Sequence, residues 1–169
     1  RTIPGTNPKG SYFTRGSGHD QYGRYTENPQ AYAENMQRIA RKTSNLAEKL
    51  PKCIHTRQEG KKPTNGLVFY GSTTEALVET CDLLNEQKCY FDCIQIRSFP
   101  FSLHTQNLLN SYDRLIVIEQ NRDAQMLKLL KAELSLDVPK LYSCCVFSGV
   151  ALTAQKLVQM ICEIVEKEF

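Results

Sequence analysis

Short apolar runs alternate with amphipathic segments from residue 67 onward. Four of these runs predict strands that are buried on both faces of a parallel sheet, namely Leu67–Tyr70, Phe91–Ile96, Leu115–Ile118 and Leu141–Phe147. Each run is followed by apolar residues at helical spacing, at positions 76–84, 103–110, 126–134 and 157–165. Alternating strands and helices predict right-handed crossovers with helices on both sheet faces, and therefore a three-layer α/β/α sandwich.

The first 51 residues follow a different pattern. Residues 1–28 are rich in glycine and proline and have no regular period. Asn28 and Pro29 are typical of a helix start, and apolar residues recur at helical spacing from there to Pro51. We therefore predict an irregular basic arm with a connecting helix over residues 1–51 and an α/β domain over residues 52–169. Four aromatic residues predict that the arm packs against a surface: Tyr12, Phe13, Tyr22 and Tyr25.

Weak alternation over Lys52–Arg57 predicts a short strand at the edge of the sheet. A charged loop that contains proline is expected next, over Glu59–Asn65.

Three polar residues follow the strand Leu115–Ile118 without a break. They are Glu119, Gln120 and Asn121, and a helical pattern begins soon after them. Open α/β sheets bind ligands and partners at the carboxyl ends of their parallel strands, which is where these side chains are predicted to lie. For Glu119 two interpretations stay open, a contact with a ligand or partner, and a solvated residue or helix cap at the entrance of a loop.

The turn after the first parallel strand offers a second candidate site. Ser72, with Glu75 three residues later, predicts a capping box at the start of a helix. The hydroxyl-rich turn Gly71–Thr74 also resembles the turn with which flavodoxins hold the phosphate of FMN, although it is shorter. It has neither the three glycines of the dinucleotide fingerprint nor the lysine of a P-loop.

Seven cysteines are present, but none of them form a C-x-x-C pair. Several lie in apolar segments, where cysteine behaves as a small hydrophobic residue. We therefore predict reduced core cysteines in a cytoplasmic protein, with no metal site.

The net charge of +3 conceals an uneven distribution. Residues 1–62 carry 12 Lys and Arg against 5 Asp and Glu, whereas residues 63–169 carry 9 against 13. This split fits an arm on an acidic partner or near a phosphate-bearing ligand, an arm folded over its own body, or a solvated surface. The basic residues are too dispersed to predict nucleic-acid binding. No apolar run approaches membrane-spanning length, so we expect a soluble protein, and the absence of an initial Met suggests a piece of a longer chain.

Four motifs in this order resemble the C-terminal part of the alpha subunit of 2-oxoacid:ferredoxin oxidoreductases, particularly the 2-oxoglutarate type. They are Gly18-His19-Asp20 with Gly23-Arg24, Tyr70-Gly71-Ser72-Thr73, Arg97-Ser98-Phe99-Pro100-Phe101, and Ile118-Glu119-Gln120-Asn121 with Gln125. The resemblance spans nearly the whole chain. It implies a transketolase C-terminal-like domain, a mixed sheet of about five strands with one antiparallel edge strand.

The resemblance also implies a role. The whole enzyme would oxidatively decarboxylate a 2-oxoacid to an acyl-CoA, with thiamine diphosphate, Mg²⁺, a [4Fe-4S] cluster, coenzyme A and ferredoxin. This chain would be a supporting domain without catalytic residues, inactive alone, that contacts the beta subunit and the upstream pyrimidine-binding domain of the alpha subunit. Candidates for interface or coenzyme A contacts are His19, Arg24, Arg97, Glu119, Gln120 and Asn121.

Two other functions stay open at this point. One is a flavodoxin-like electron carrier that binds FMN, and the other is a generic α/β interaction module. Fold alone does not separate them.

Overall fold

The computed structural model describes residues 3, 5–10, 16, 18–58, 64–135 and 139–169. These residues form two compact units, Arg1–Leu46 and Ala47–Phe169. Two of the predicted arm aromatics, Tyr12 and Phe13, lie outside the described residues, as do residues 59–63 of the predicted charged loop.

Helix α1 spans Pro29–Leu46 in the first unit. Its start confirms the prediction, since Asn28 Oδ1 accepts hydrogen bonds from the amides of Gln30 and Ala31 at 2.9 and 3.2 Å. The helix ends earlier than the predicted Pro51, and Ser44 Oγ donates to the carbonyl of Ala40 in its last turn. A serine that bonds back to the helix backbone weakens the end of a helix.

The second unit contains a five-stranded sheet. Its strands in chain order are β1 (Ile54–Thr56), β2 (Asn65–Tyr70), β3 (Asp92–Ile96), β4 (Arg114–Glu119) and β5 (Lys140–Cys145). Their spatial order is β1-β3-β2-β4-β5, in which β1 is antiparallel to β3 and the other neighbours are parallel. The predicted mixed sheet with an antiparallel edge strand is confirmed.

Four helices cover the two faces of this sheet. They are α2 (Thr74–Glu86), α3 (Leu103–Asn110), α4 (Gln125–Glu133) and α5 (Ala154–Glu168). Residues of α2 and α5 pack on one face, and residues of α3 and α4 pack on the other. The predicted three-layer sandwich is therefore confirmed.

Strand β4 explains why two cores form. Leu115 and Val117 pack into the core beside α3 and α4, whereas Ile116 and Ile118 pack into the core beside α2 and α5. All four side chains are fully buried, as the continuous apolar run predicts for a strand covered on both faces.

In the described part of the chain, no helix combines the length and the apolar character that crossing a bilayer requires.

Candidate functional site

The carboxyl ends of β2 and β4 meet at one edge of the sheet. These strands are parallel neighbours, so the residues that follow them are brought together. Gln120 Nε2 donates to Ser72 Oγ at 3.1 Å and lies 3.3 Å from Thr73 Oγ1. The two sequence motifs around Ser72 and Gln120 thus belong to one polar cluster.

The predicted capping box at Ser72 is wrong. A 3₁₀ turn over Gly71–Thr73 precedes α2, and the N-cap residue Thr73 makes no side-chain cap bond. Gly71 has a φ of +58°, a conformation that glycine adopts readily, and this lets the chain turn sharply after β2. The sharp turn places Ser72 within reach of Gln120 across the sheet edge.

Glu119 is fully buried and caps helix α4 from a distance. Its carboxylate accepts hydrogen bonds from the amides of Met126 and Leu127 at 2.7 and 3.2 Å. These are the second and third residues of the helix, whose amides an N-cap side chain normally satisfies. The N-cap residue, Ala124, is left-handed at φ +50° and has no side-chain acceptor. The cap interpretation of Glu119 therefore fits the geometry.

Asn121 organises the loop between β4 and α4. Its Nδ2 donates to Glu119 Oε2 at 2.8 Å, and its Oδ1 accepts from the amides of Asp123 and Gln125 at 3.0 and 3.2 Å. The amide group also lies 3.5 Å from Tyr70 Oη, and burial together with the nearby Glu119 raises the pKa of Tyr70. The loop backbone is therefore held by the side chain of Asn121, which is itself bonded to the buried carboxylate of Glu119.

Large apolar side chains are exposed at the same edge. Phe99 and Leu103 follow β3 and are 49% and 62% exposed, and Phe147 and Val150 follow β5 and are 65% and 71% exposed. We call these four residues the carboxyl-edge surface. Arg97, also exposed, directly follows β3. Exposed large apolar groups of this kind are typical of an interaction site.

His19 and Arg24 lie in the first unit, within a tight turn. Asp20 Oδ1 accepts from the amides of Tyr22 and Arg24 at 2.8 and 3.0 Å, and the carbonyl of His19 accepts from Asn35 Nδ2 of α1. The Arg24 guanidinium lies 5.8 Å from the ring of Tyr22. The polar groups of this motif thus build a turn that is tied to α1.

The sequence analysis missed a polar cluster at the opposite edge of the sheet. Asp92 Oδ2 accepts from Tyr112 Oη at 2.6 Å and lies 3.2 Å from His55 Nε2, while its Oδ1 accepts from the amide of Gln58 at 2.8 Å. Asp92 and Tyr112 are buried. The only indication in the sequence was a carboxylate, Asp92, inside the apolar run Phe91–Ile96. Its partners come from distant segments of the chain, which the sequence pattern does not connect.

We expect the variant Tyr112→Phe to reduce the loss of stability at alkaline pH. Burial and the hydrogen bond to Asp92 raise the pKa of Tyr112 above its ordinary value of 10.0. A tyrosine whose pKa is raised by folding stabilises the protein fully at pH values below its ordinary pKa. This contribution is lost as the pH rises toward the pKa of the folded state. The free energy of unfolding, measured by urea titration from about pH 9 to 11, should fall less steeply in the variant. Equal slopes for the two proteins would contradict the prediction.

The seven cysteines are all free thiols. Cys144 is buried, which raises the pKa of its thiol to about 12, and the other six are partly buried. Among the described residues, no three His, Cys, Asp or Glu side chains are grouped so that they could hold a metal ion. The residues described here therefore do not fit an iron-sulfur cluster.

Comparison with known proteins points to one class of enzyme. The chain is 29% identical over 122 residues to 2-oxoacid:ferredoxin oxidoreductase 2, subunit alpha, from Aeropyrum pernix. That stretch is 70% of this chain. This sequence is similar to an oxidoreductase alpha subunit. The match covers only 19% of the Aeropyrum subunit, so the chain spans about a fifth of that relative's length. No family model matches the chain.

A solved structure shares the fold. It is a 2-oxoglutarate:ferredoxin oxidoreductase from Magnetococcus marinus with 2-oxoglutarate, coenzyme A and succinyl-CoA bound. The TM-score is 0.74 and the identity is 19%, over 96% of this chain and 28% of that chain. This likeness confirms the α/β fold of the chain, which matches about a quarter of that longer chain.

Proposed function

We propose that this chain is the C-terminal supporting domain of the alpha subunit of a 2-oxoacid:ferredoxin oxidoreductase. The observation that carries the proposal is the similarity over 122 residues to the Aeropyrum alpha subunit. The order of the four motifs and the shared fold support it independently. Residues 1–51 would form the arm and connecting helix, and residues 52–169 would form the supporting domain.

In this proposal the chain itself is not catalytic. Its most buried carboxylates, Glu119 and Asp92, are occupied with helix amides and with a tyrosine. Thiamine diphosphate, Mg²⁺ and the iron-sulfur cluster would be held by other domains and subunits. The assembled enzyme would decarboxylate the 2-oxoacid, pass electrons to ferredoxin and form the acyl-CoA.

We propose 2-oxoglutarate as the 2-oxoacid. The motif resemblance favours this type, and the solved structure of the same fold is named for that substrate. The test is to assemble the full alpha subunit with its beta subunit and to compare ferredoxin reduction with 2-oxoglutarate and with pyruvate. A preference for pyruvate would overturn the substrate while leaving the domain assignment intact.

The carboxyl-edge surface is the proposed contact with neighbouring domains or the beta subunit. It presents four large apolar side chains around the polar cluster of Ser72 and Gln120. Protein interfaces combine apolar contacts with a limited number of hydrogen bonds, and this surface offers groups for both. Arg97 at this edge, and His19 and Arg24 in the arm, would contact the partner or coenzyme A.

We expect Phe147→Lys to weaken binding to the beta subunit about 30-fold. Placing a charge on an apolar side chain that becomes buried in the complex costs about 2 kcal/mol of binding free energy. Phe147 is 65% exposed in this chain, so its replacement should leave the thermal unfolding midpoint nearly unchanged. The matched control is Val78→Lys, which changes an equally exposed apolar residue on α2. Binding is measured by titration calorimetry with the isolated beta subunit. Equal affinities for the two variants would place the interface elsewhere.

A further inference from the structure

Helix α1 exposes three large apolar side chains on one side. Tyr32, Met36 and Ile39 are 57%, 43% and 46% exposed, and we call them the α1 stripe. They follow one another at spacings of four and three residues, which places them in a line along the helix. Of the residues of α1, Asn35 alone is buried. An amphipathic helix normally buries its apolar side, so α1 has the composition of a helix that packs on a further surface.

Basic side chains border this stripe. Arg38 and Lys42 are four residues apart and exposed, so they lie one above the other on the flank of the helix next to Ile39. We call these two residues the basic flank. Arg41 adds a third positive charge to α1, whose one acidic residue is Glu34. The surface around the stripe is therefore positively charged, and the surface that it fits is apolar with acidic borders.

A groove of that kind lies between α2 and α5 in the second unit. It encloses about 480 Å³ and includes apolar side chains from both helices, namely Leu83, Val158 and Cys162. Glu163 and Glu166 of α5 also line it and are exposed. None of the described residues that line this groove is basic. We call it the α2–α5 groove, and its charge is opposite to that of the basic flank.

The groove and the helix also match in length. Along α5 the groove extends from Gln155 to Glu166, eleven residues apart, which is about 17 Å of helix. The α1 stripe and its basic flank extend from Tyr32 to Lys42, ten residues apart, which is about 15 Å. A groove between two helices can therefore receive the whole of this side of α1, as in the recognition of an amphipathic helix by an apolar groove.

We propose that the chain self-associates, with α1 of one copy docked in the α2–α5 groove of a second copy. The α1 stripe packs on the apolar lining of the groove, and the basic flank faces Glu163 and Glu166. Charge favours this pairing over a contact between identical surfaces, because two α1 helices would repel each other and so would two grooves. Each copy carries one helix and one groove, so two reciprocal contacts close a symmetric dimer. This inference is independent of the proposed enzyme.

The test is sedimentation equilibrium of the full chain from about 1 to about 200 µM, at low and at high salt. We expect a monomer–dimer equilibrium that depends on concentration, with a dissociation constant that rises with salt because the facing charges are screened. A helix variant carries Arg38→Glu and Lys42→Glu, and a groove variant carries Glu163→Lys and Glu166→Lys. Each should raise the dissociation constant at least about 10-fold, because like charges then face each other.

A one-to-one mixture of the helix variant and the groove variant should restore the dimer. In the mixed dimer the unaltered helix meets the unaltered groove, and the acidic helix of one chain meets the basic groove of the other. The matched control carries Lys128→Glu and Lys131→Glu, which reverse two exposed charges on α4 and should leave the dissociation constant unchanged. Circular dichroism verifies that each variant is folded.

Three results would overturn the proposal. The first is a monomer at every concentration in the unaltered chain, which would mean that the α1 stripe packs within a single chain or on a different protein. The second is a dimer that neither charge reversal weakens, and the third is a mixture of the two variants that stays monomeric. Because the unaltered chain is measured first, the proposal can fail without reference to the folding of any variant.

Discussion

Replacing Glu119 with alanine should lower the free energy of unfolding by about 3 kcal/mol, from the loss of a helix cap and of hydrogen bonds to a buried carboxylate. The carboxylate accepts from the amides of Met126 and Leu127 and from the side chain of Asn121. In the variant these three donors lose a charged acceptor inside the protein. The positive end of the α4 dipole also loses its neighbouring negative charge. Urea unfolding of the two proteins measures the difference.

Two variants separate this effect from a general effect of changing the loop. Glu119→Gln keeps an oxygen acceptor but turns an amide toward a helix N–H group, so it should cost about half as much. Asp123→Ala removes a carboxylate that is paired with Arg122 at the surface, with side chains 49% and 74% exposed. Such exposed pairs contribute about 0.5 kcal/mol or less. If Glu119→Ala and Asp123→Ala were equally stable, Glu119 would not be the cap of α4.

Gln120, the next residue, is exposed, so replacing it should lower the free energy of unfolding much less than replacing Glu119. Its side chain bonds to the hydroxyl groups of Ser72 and Thr73. Two neighbouring residues of one motif thus have different surroundings, since Glu119 is fully buried against helix amides and Gln120 is exposed at the sheet edge.

The sheet and its helices were largely predictable from the sequence because burial on two faces leaves a strong pattern. The run Leu115–Ile118 is uniformly apolar, since successive side chains enter two different cores. The start of α1 was predictable for a local reason, because Asn28 bonds to amides two and three residues away. Both signals are contained within a few consecutive residues.

The polar clusters were not predictable in the same way. Ser72 was expected to cap its own helix, but the 3₁₀ turn over Gly71–Thr73 directs it toward Gln120, which directly follows the neighbouring strand β4. The sequence pattern carries no information on whether one extra turn precedes a helix. The place of Glu119 at the sheet edge was predicted correctly, whereas its role as a distant cap depends on the left-handed conformation of Ala124, which nothing in the sequence indicates.

The cluster around Asp92 was not predictable either, because its residues are far apart along the sequence. His55, Asp92 and Tyr112 come from the edge strand β1, the start of β3 and the residues before β4. They meet because β1 pairs antiparallel with β3, and this places His55 opposite Ile94, two residues from the carboxylate. A pairing between strands fixes which side chains meet, and a single sequence does not contain that pairing.

We expect Asp92→Ala to lower the free energy of unfolding by about 3 kcal/mol, because a buried carboxylate with several donors leaves them unsatisfied when it is removed. The donors are Tyr112 Oη and the amide of Gln58, and His55 Nε2 lies 3.2 Å from the same carboxylate. Tyr112 Oη also lies 2.7 Å from His55 Nε2, so part of its bonding can survive the change. The amide of Gln58 has no such second partner in this cluster. Its hydrogen should therefore exchange faster with solvent deuterium in the variant. Urea unfolding measures the stability, and hydrogen exchange measures the amide.

A double-mutant cycle decides whether Asp92 acts through Tyr112. If the two residues stabilise the protein through their shared hydrogen bond, Asp92→Ala and Tyr112→Phe together should cost less than the sum of the two single changes, by about 1 kcal/mol. Thr153 offers a control outside the cluster, since its side chain caps α5 by accepting a hydrogen bond from the amide of Lys156 at 3.3 Å. Thr153→Ala should therefore add to Asp92→Ala without coupling, as independent sites do. Strict additivity of Asp92→Ala with Tyr112→Phe would mean that the carboxylate stabilises the edge through the Gln58 amide and His55 alone.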